Sequence, residues 1–194
     1  MKINSDYCKK LEPNTSFPSL IYRGIMGEDR LEYLAKQASG GNEECFVALC
    51  DILKLKLFRT AKGILGNETL ALDAVSEAVY RAFKGIKKLR EPRYTETWFT
   101  RIVLNVANDI YRRQKNEITI GEIPEGIHND DHSDMEFSQL IESLPLELRE
   151  IISLKYYSNY TLAEIAVLLE IPEGTIKSRL NRALNLLRLE ALNE

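Results

Sequence analysis

A proline fixes the layout of the last third of this chain. Pro172 interrupts the stretch from Tyr160 to Arg188, in which apolar residues otherwise recur at helical spacing. Upstream, Leu162, Ile165, Ala166 and Leu169 fall 3 and 4 apart, on one helix face. Proline has no N–H and fits only the first turn of a helix, so Glu170-Ile171-Pro172-Glu173 ends one helix and starts another. In the second helix Ile176, Leu180, Ala183, Leu184 and Leu187 form the expected buried stripe. Thr175, Ser178, Arg179 and Arg182 lie on a different face. From Gly174 to Leu189 there are four basic residues (Lys177, Arg179, Arg182, Arg188) and no acid. Such a helix suits the DNA major groove, where Arg and Lys reach phosphates or guanine edges. An ordinary helical hairpin with a solvated basic face has the same pattern, and periodicity does not separate the two.

The rest of the chain carries the same period. Glu28 to Ser39 holds Leu31, Leu34 and Ala35 and stops at Gly40-Gly41. Asn42 to Leu65 presents Phe46, Leu49, Leu53, Leu57, Ala61 and Ile64, and Gly66-Asn67 closes it. Thr69 to Ile86 has Leu72, Val75, Val79, Ala82, Phe83 and Ile86 as its expected buried stripe. Asp73, Ser76, Glu77 and Tyr80 point to a neighbouring face. A third long helix runs from Tyr94 or Thr95 to Lys115. Its apolar side is Phe99, Ile102, Val103, Val106 and Ile110, opposite Arg101, Asn105, Asn108 and Arg112. No useful strand alternation appears, so the expected fold is all-α. It divides into an irregular extension (1–27), a helical domain (28–115), an acidic flexible linker (116–134) and a second helical domain (135–194). In the second domain, helices at Met135 to Ser143 and Leu146 to Tyr157 precede the hairpin. The segment before Met26 is expected to be either a docking arm or, if translation starts at Met26, absent.

The formal net charge of -3 hides a sharp division. Residues 45–115 carry 14 basic and 7 acidic groups, and residues 116–135 carry 6 acids and no base. Such asymmetry informs about partners more than the total does. No run of about 18 apolar residues is present. The N-terminus lacks the pattern of a secretory signal. The three cysteines, Cys8, Cys45 and Cys50, fit no paired motif, so a reduced, cytoplasmic protein is expected.

Two sets of residues, in order, carry a family resemblance. The first is Ile64-Leu65-Gly66-Asn67, Asp73-Ala74-Val75-Ser76-Glu77-Ala78 and Thr97-Trp98-Phe99-Thr100-Arg101-Ile102, with Asn105, Asp109 and Arg112-Arg113. The second is Leu144-Pro145, Ala163-Glu164-Ile165-Ala166 and Pro172 to Leu180, with Arg182-Ala183. Residues 42–190 resemble the extracytoplasmic-function (ECF) class of bacterial RNA polymerase sigma factors. The first set is similar to sigma region 2, the second to the sigma region 4 helix-turn-helix.

The resemblance implies three contact surfaces. Asp73, Ser76, Glu77 and Tyr80 would meet a coiled coil of the largest subunit of core RNA polymerase; the family commonly has an amide where this chain has Ser76. Arg93, Tyr94, Trp98, Arg101, Asn105, Asn108, Arg112 and Arg113 would open and read the -10 promoter element. Phosphates there need cations, and an unstacked base needs an aromatic platform. Trp98 beside Phe99 also fits plain core packing. Glu173, Gly174, Thr175, Lys177, Ser178, Arg179 and Arg182 would read the -35 element, with Gly174 opening the helix N-terminus to a phosphate. Two modest DNA-binding units on a tether gain affinity when polymerase holds them at fixed separation.

The expected function is promoter-specific transcription initiation with core polymerase, regulated by an anti-sigma factor. No catalytic residue, cofactor or small-molecule substrate is expected, nor membrane insertion. His128 and His132 have the spacing of a helical metal pair but lie in the linker, so no metal site is expected. Two other readings stay open on the residues alone. One is a stand-alone helix-turn-helix regulator; the other is an interaction module with no DNA role.

Overall fold

Asparagine side chains start the two helices that build the first core. The Asn42 side chain accepts a hydrogen bond from the Cys45 N–H at 3.0 Å, and Asn67 does the same for Leu70 at 3.0 Å. Each satisfies a backbone donor that a helix end leaves unpaired. Between them Gly66 takes a left-handed φ of 68° and returns its N–H to the Lys62 carbonyl at 2.8 Å. Only glycine adopts that conformation without strain.

The computed structural model describes residues 28–120, 141 and 143–190. The helices are α1 (Glu28–Ser39), α2 (Glu43–Leu65), α3 (Glu68–Gly85), α4 (Thr95–Ile120), α5 (Leu146–Ile152), α6 (Leu162–Leu169) and α7 (Glu173–Glu190). Short 3-10 turns at Ile86–Lys88 and Pro92–Tyr94 join α3 to α4. A π-helical turn, Ser153–Tyr157, continues α5. No strand occurs among the described residues. Residues 1–27, the acidic stretch with His128 and His132, and most of the helix expected from Met135 to Ser143 lie outside them.

Helices α2, α3 and α4 pack around fully buried Leu49, Leu57, Ile64, Phe99 and Val103. All six residues of the expected α2 stripe are buried. Truncating one of the large ones to Ala would cost about 2–5 kcal/mol. In α3 the expectation holds for Ala82 and Ile86, which are buried, and fails for Leu72 and Phe83. Its buried stripe is Ala71, Ala74, Ala78 and Ala82, whereas Leu72 is 48% exposed and Phe83 46%. The alanines recur at helical spacing themselves and let α3 approach its neighbours closely. Val75 and Val79 flank that seam, half-buried. Helix α4 passes its expected end at Lys115 and is described as far as Ile120.

In the second unit, a reciprocal cap starts α6. Thr161 Oγ1 accepts from the Glu164 N–H at 3.2 Å, and the Glu164 carboxylate accepts from the Thr161 N–H at 2.7 Å. Helix α6 ends at Glu170, in the left-handed region with φ 57°. Pro172 then begins α7, its carbonyl accepting from the Thr175 and Ile176 N–H groups at 2.9 and 3.1 Å. Ile165, Leu168, Ile176, Leu180, Ala183 and Leu187 are buried. Leu168 replaces the expected Leu162, Ala166 and Leu169, which are half-buried. Leu184 is 40% exposed, outside the stripe expected to hold it.

The two units touch directly, beyond the tethered arrangement expected. Gly63 in α2 is buried against the π-helical turn; a Cβ there would lie 2.5 Å from Ser153 Oγ. Ser153 Oγ donates to the Thr60 carbonyl at 2.8 Å, and Arg149 Nη1 to the Ile64 carbonyl at 3.0 Å. The Tyr160 hydroxyl lies 2.8 Å from Thr100 Oγ1 and donates to Glu96 at 3.1 Å. Lys56 completes this cluster, 2.5 Å from the Glu96 carboxylate and 3.8 Å over the Tyr160 ring.

Candidate nucleic-acid interface

Three helix faces carry the candidate residues. On α3, Asp73, Ser76 and Tyr80 are exposed. Ser76 spends its hydroxyl proton locally, on the Leu72 carbonyl at 2.9 Å. Glu77 is half-buried and accepts from Arg81 Nε at 2.7 Å. Lys84 sits 4.1 Å over the Tyr80 ring. Exposed Leu72 and Phe83 share this side of the helix, since Leu72, Ser76, Tyr80 and Phe83 recur 4, 4 and 3 apart. The hydrophobic pattern of the sequence assigns both to the core. The alanine period at 71, 74, 78 and 82 was the signal that frees them.

On α4, Asn105, Arg112 and Arg113 are exposed. Arg101 and Asn108 are not free. Arg101 Nη2 donates to the Val167 carbonyl at 2.6 Å, and its Nη1 lies 3.0 Å from the Glu170 carboxylate. Asn108 Nδ2 donates to Glu150 Oε1 at 2.5 Å. Burial is the main reason the Glu150 carboxyl is pushed up from its ordinary range, although the Asn108 bond opposes the shift. At the start of α4, Tyr94 is 51% exposed with the Arg93 guanidinium 4.8 Å over its ring. Trp98 is half-buried, edge-on to Phe99 at a centroid separation of 5.3 Å. Its ring crosses Gly85, where a Cβ would stand 3.2 Å from the indole. That is a packing position, and it leaves Tyr94 as the open aromatic surface.

On α7, Glu173, Gly174, Lys177, Ser178 and Arg182 are exposed, and Thr175 is half-buried. A Cβ on Gly174 would meet nothing within 4 Å, so the helix N-terminus is open. Arg179 is paired with Glu147 on α5 at 3.0 Å. Asn105, Arg112, Arg113, Lys177 and Arg182 are thus presented to solvent, while Arg101, Asn108 and Arg179 hold protein partners.

The family model for sigma-70 region 2 matches residues 52–117, and that for sigma-70 region 4 matches residues 134–187. RNA polymerase sigma factor SigV of Bacillus subtilis is 30% identical over 146 residues, covering 73% of this chain and 87% of that protein. ECF RNA polymerase sigma factor SigW of the same organism is 30% identical over 172 residues, covering 79% and 92%. The chain belongs to the ECF RNA polymerase sigma factors.

This sigma factor is therefore a promoter-recognising partner of RNA polymerase and not a stand-alone regulator. Its fold is also that of solved relatives. CnrH, in complex with the cytosolic domain of CnrY, superposes with a TM-score of 0.71 at 22% identity, over 86% of this chain and 99% of that one. The Bartonella quintana sigma factor RpoE, in complex with the anti-sigma factor NepR, gives 0.59 at 24%, over 71% and 92%. Among the described residues no helix is long and apolar enough to cross a membrane, and no group of three or more His, Cys, Asp or Glu stands together as a metal set.

Proposed function

We propose that this sigma factor meets core polymerase through α3, the -10 element through α4 with the Pro92–Tyr94 turn, and the -35 element through α7. The observation that carries the reading is the exposed basic face of α7, Lys177 and Arg182 beside an open helix N-terminus at Gly174. Backbone N–H groups and the helix dipole there favour a phosphate, with Lys177 within one turn of it and Arg182 about two turns beyond. On α3 the free carboxylate of Asp73 beside exposed Leu72, Tyr80 and Phe83 combines a charged orienting group with apolar area. On α4 exposed Asn105, Arg112 and Arg113 supply phosphate and base-edge donors, and Tyr94 a stacking surface.

The chain works in the cytoplasm with the transcription machinery and performs no chemistry of its own. Its domains are 28–115 and 135–194. An anti-sigma factor that covers both is its regulator; CnrH and RpoE are each recorded with a partner protein, in RpoE's case named as an anti-sigma factor. Transcription in vitro with purified core enzyme over the source genome tests the reading. Start sites sharing one -10 and one -35 sequence are the expected result. Failure both to co-purify with core enzyme and to start any transcript would overturn it.

A further inference from the structure

Among the described residues, helix α2 keeps an apolar face open to solvent. Val47, Ile52 and Leu55 are exposed, Leu55 by 54%, and half-buried Phe58 continues the row. They lie away from the side that buries Leu49, Leu53 and Leu57. None of them belongs to the surfaces assigned above to polymerase or DNA. The charge on α2 is divided along its length. From Glu43 to Leu53 it carries three acids, Glu43, Glu44 and Asp51, and no base; the bases begin at Lys54. A contiguous apolar patch on a monomer marks a contact surface, and this one is rimmed by negative charge.

The fold brings one stretch of chain to this face. A short turn with Gly41 at φ 100° sends α2 back along α1, and the two helices pack together. Both rise about 1.5 Å per residue. The 12 residues of α1 therefore set Glu28 level with the middle of α2, beside Ile52 and Leu55. The segment that enters there, residues 17–27, holds Phe17, Leu20, Ile21, Tyr22 and Ile25, with one base, Arg23, and no acid. Residues 1–27 as a whole carry four bases and two acids. The segment thus matches the face twice, in apolar side chains and in sign of charge. Its tether to α1 also gives it a high effective concentration at that face, so modest contacts are enough to hold it.

We propose that residues 17–26 dock across the acidic half of α2, seating their apolar side chains on Val47, Ile52 and Leu55 and bringing Arg23 to the Glu44 and Asp51 carboxylates. Gly27, just before α1, lets the chain turn back onto the helix. The docked segment is an intramolecular partner for the one face of α2 that the helices of the first unit leave uncovered.

The test uses the full chain from Met1 carrying Phe17→p-benzoylphenylalanine, irradiated in dilute solution and mapped by peptide mass spectrometry. Crosslinks within one chain to α2 between Val47 and Phe58 are the expected result. Cleavage after Arg23 by an arginine-specific protease is followed in parallel, in the parent and in two variants. Leu55→Lys puts a repelling charge in the seat at an exposed position, and Leu20→Ser/Ile21→Ser changes the segment without touching a described helix. With circular dichroism unchanged, each should abolish the crosslink and speed cleavage, on the order of tenfold if about nine chains in ten are docked. Crosslinks confined to other helices would overturn the seat, and equal cleavage in all three folded chains would overturn docking. Crosslinks formed only between chains, rising with concentration, would overturn it in favour of a second copy on this face. Weaker capture of core polymerase by Leu55→Lys with cleavage unchanged would overturn it in favour of the polymerase.

Discussion

Thr60 and Ser158, 98 positions apart in the chain, bring their hydroxyl oxygens to 2.7 Å in a buried setting. Thr60 also donates to the Lys56 carbonyl at 2.9 Å, so Ser158 supplies the proton between the two hydroxyls. The pair ties the second helix to the end of the π-helical turn. Replacing Thr60 with Val keeps the shape and strands the Ser158 hydroxyl. Thr60→Val should lower stability by about 1–3 kcal/mol, read from the midpoint of urea unfolding. A loss under a few tenths of that range would mean the pair is open in solution.

The alanine seam of α3 makes an asymmetric prediction. Ala78 is fully buried, and Leu72, six residues before it, is half exposed. Ala78→Leu should cost roughly 1–3 kcal/mol or more by overpacking. Leu72→Ala should leave stability nearly unchanged yet weaken capture by core polymerase in a pull-down. The reverse ranking in thermal unfolding would refute the assignment of the two faces.

Two glutamates respond to acid in opposite directions. The Thr161 N–H, and then its hydroxyl, hold the Glu164 carboxyl below its ordinary range. The stability it contributes is present at neutral pH and is lost as pH falls through the folded value. Thr161→Ala should remove that cap, at about 0.5–2 kcal/mol, and flatten the acid limb of the stability curve. Glu150 is raised by burial. Its folding contribution is fully present below its unfolded value and is lost as pH rises through the folded one. Glu150→Gln keeps an oxygen for the Asn108 amide without a buried charge. It should therefore raise stability at neutral pH and do little at low pH, as followed by urea unfolding at a series of pH values.

On α7, Arg182 and Arg179 separate DNA contact from protein contact. Arg182→Ala should reduce initiation at a promoter that needs its -35 element by roughly tenfold, since a good base contact contributes about 1–3 kcal/mol. Unfolding should not change. Arg179→Ala should in addition release Glu147, a half-exposed pair contributing about 0–1 kcal/mol. Equal transcription by Arg182→Ala and the parent would remove α7 from the reading of promoters.

Cys50 gives a chemical check on burial. Desolvation, with Asp51 adding to it, pushes its thiol up to about 12, so little thiolate exists at neutral pH. Alkylation by iodoacetamide at pH 7.5 should be slow in the folded chain and fast in urea.

Helix positions and family were legible because they rest on local information: period, caps, and motifs at fixed spacing. Phe46, Leu49 and Leu53 declare their face without reference to anything distant. Leu72 and Phe83 did not, because hydrophobicity ranks them above the alanines that are buried. Which face lies inward was decided by how closely α3 packs, and small residues alone permit that approach. The Gly63–Ser153 contact spans 90 positions and has no periodic trace. Arg101 and Asn108 were recognisable as a polar helix face, but nothing local announces a partner from another unit. Met135, His128 and His132 fall outside the described residues and stay as the sequence left them.

Glu170 stands at two structural crossings. It closes α6 in a left-handed conformation that favours glycine, and its carboxylate grips Arg101. A glycine there would relax the backbone of the turn and delete the ion pair in one step. Robustness of the hairpin and hold between the units therefore change in opposite directions at a single codon. A lineage under selection for a quicker response has a route through this site that loosens the grip without sacrificing the reading hairpin.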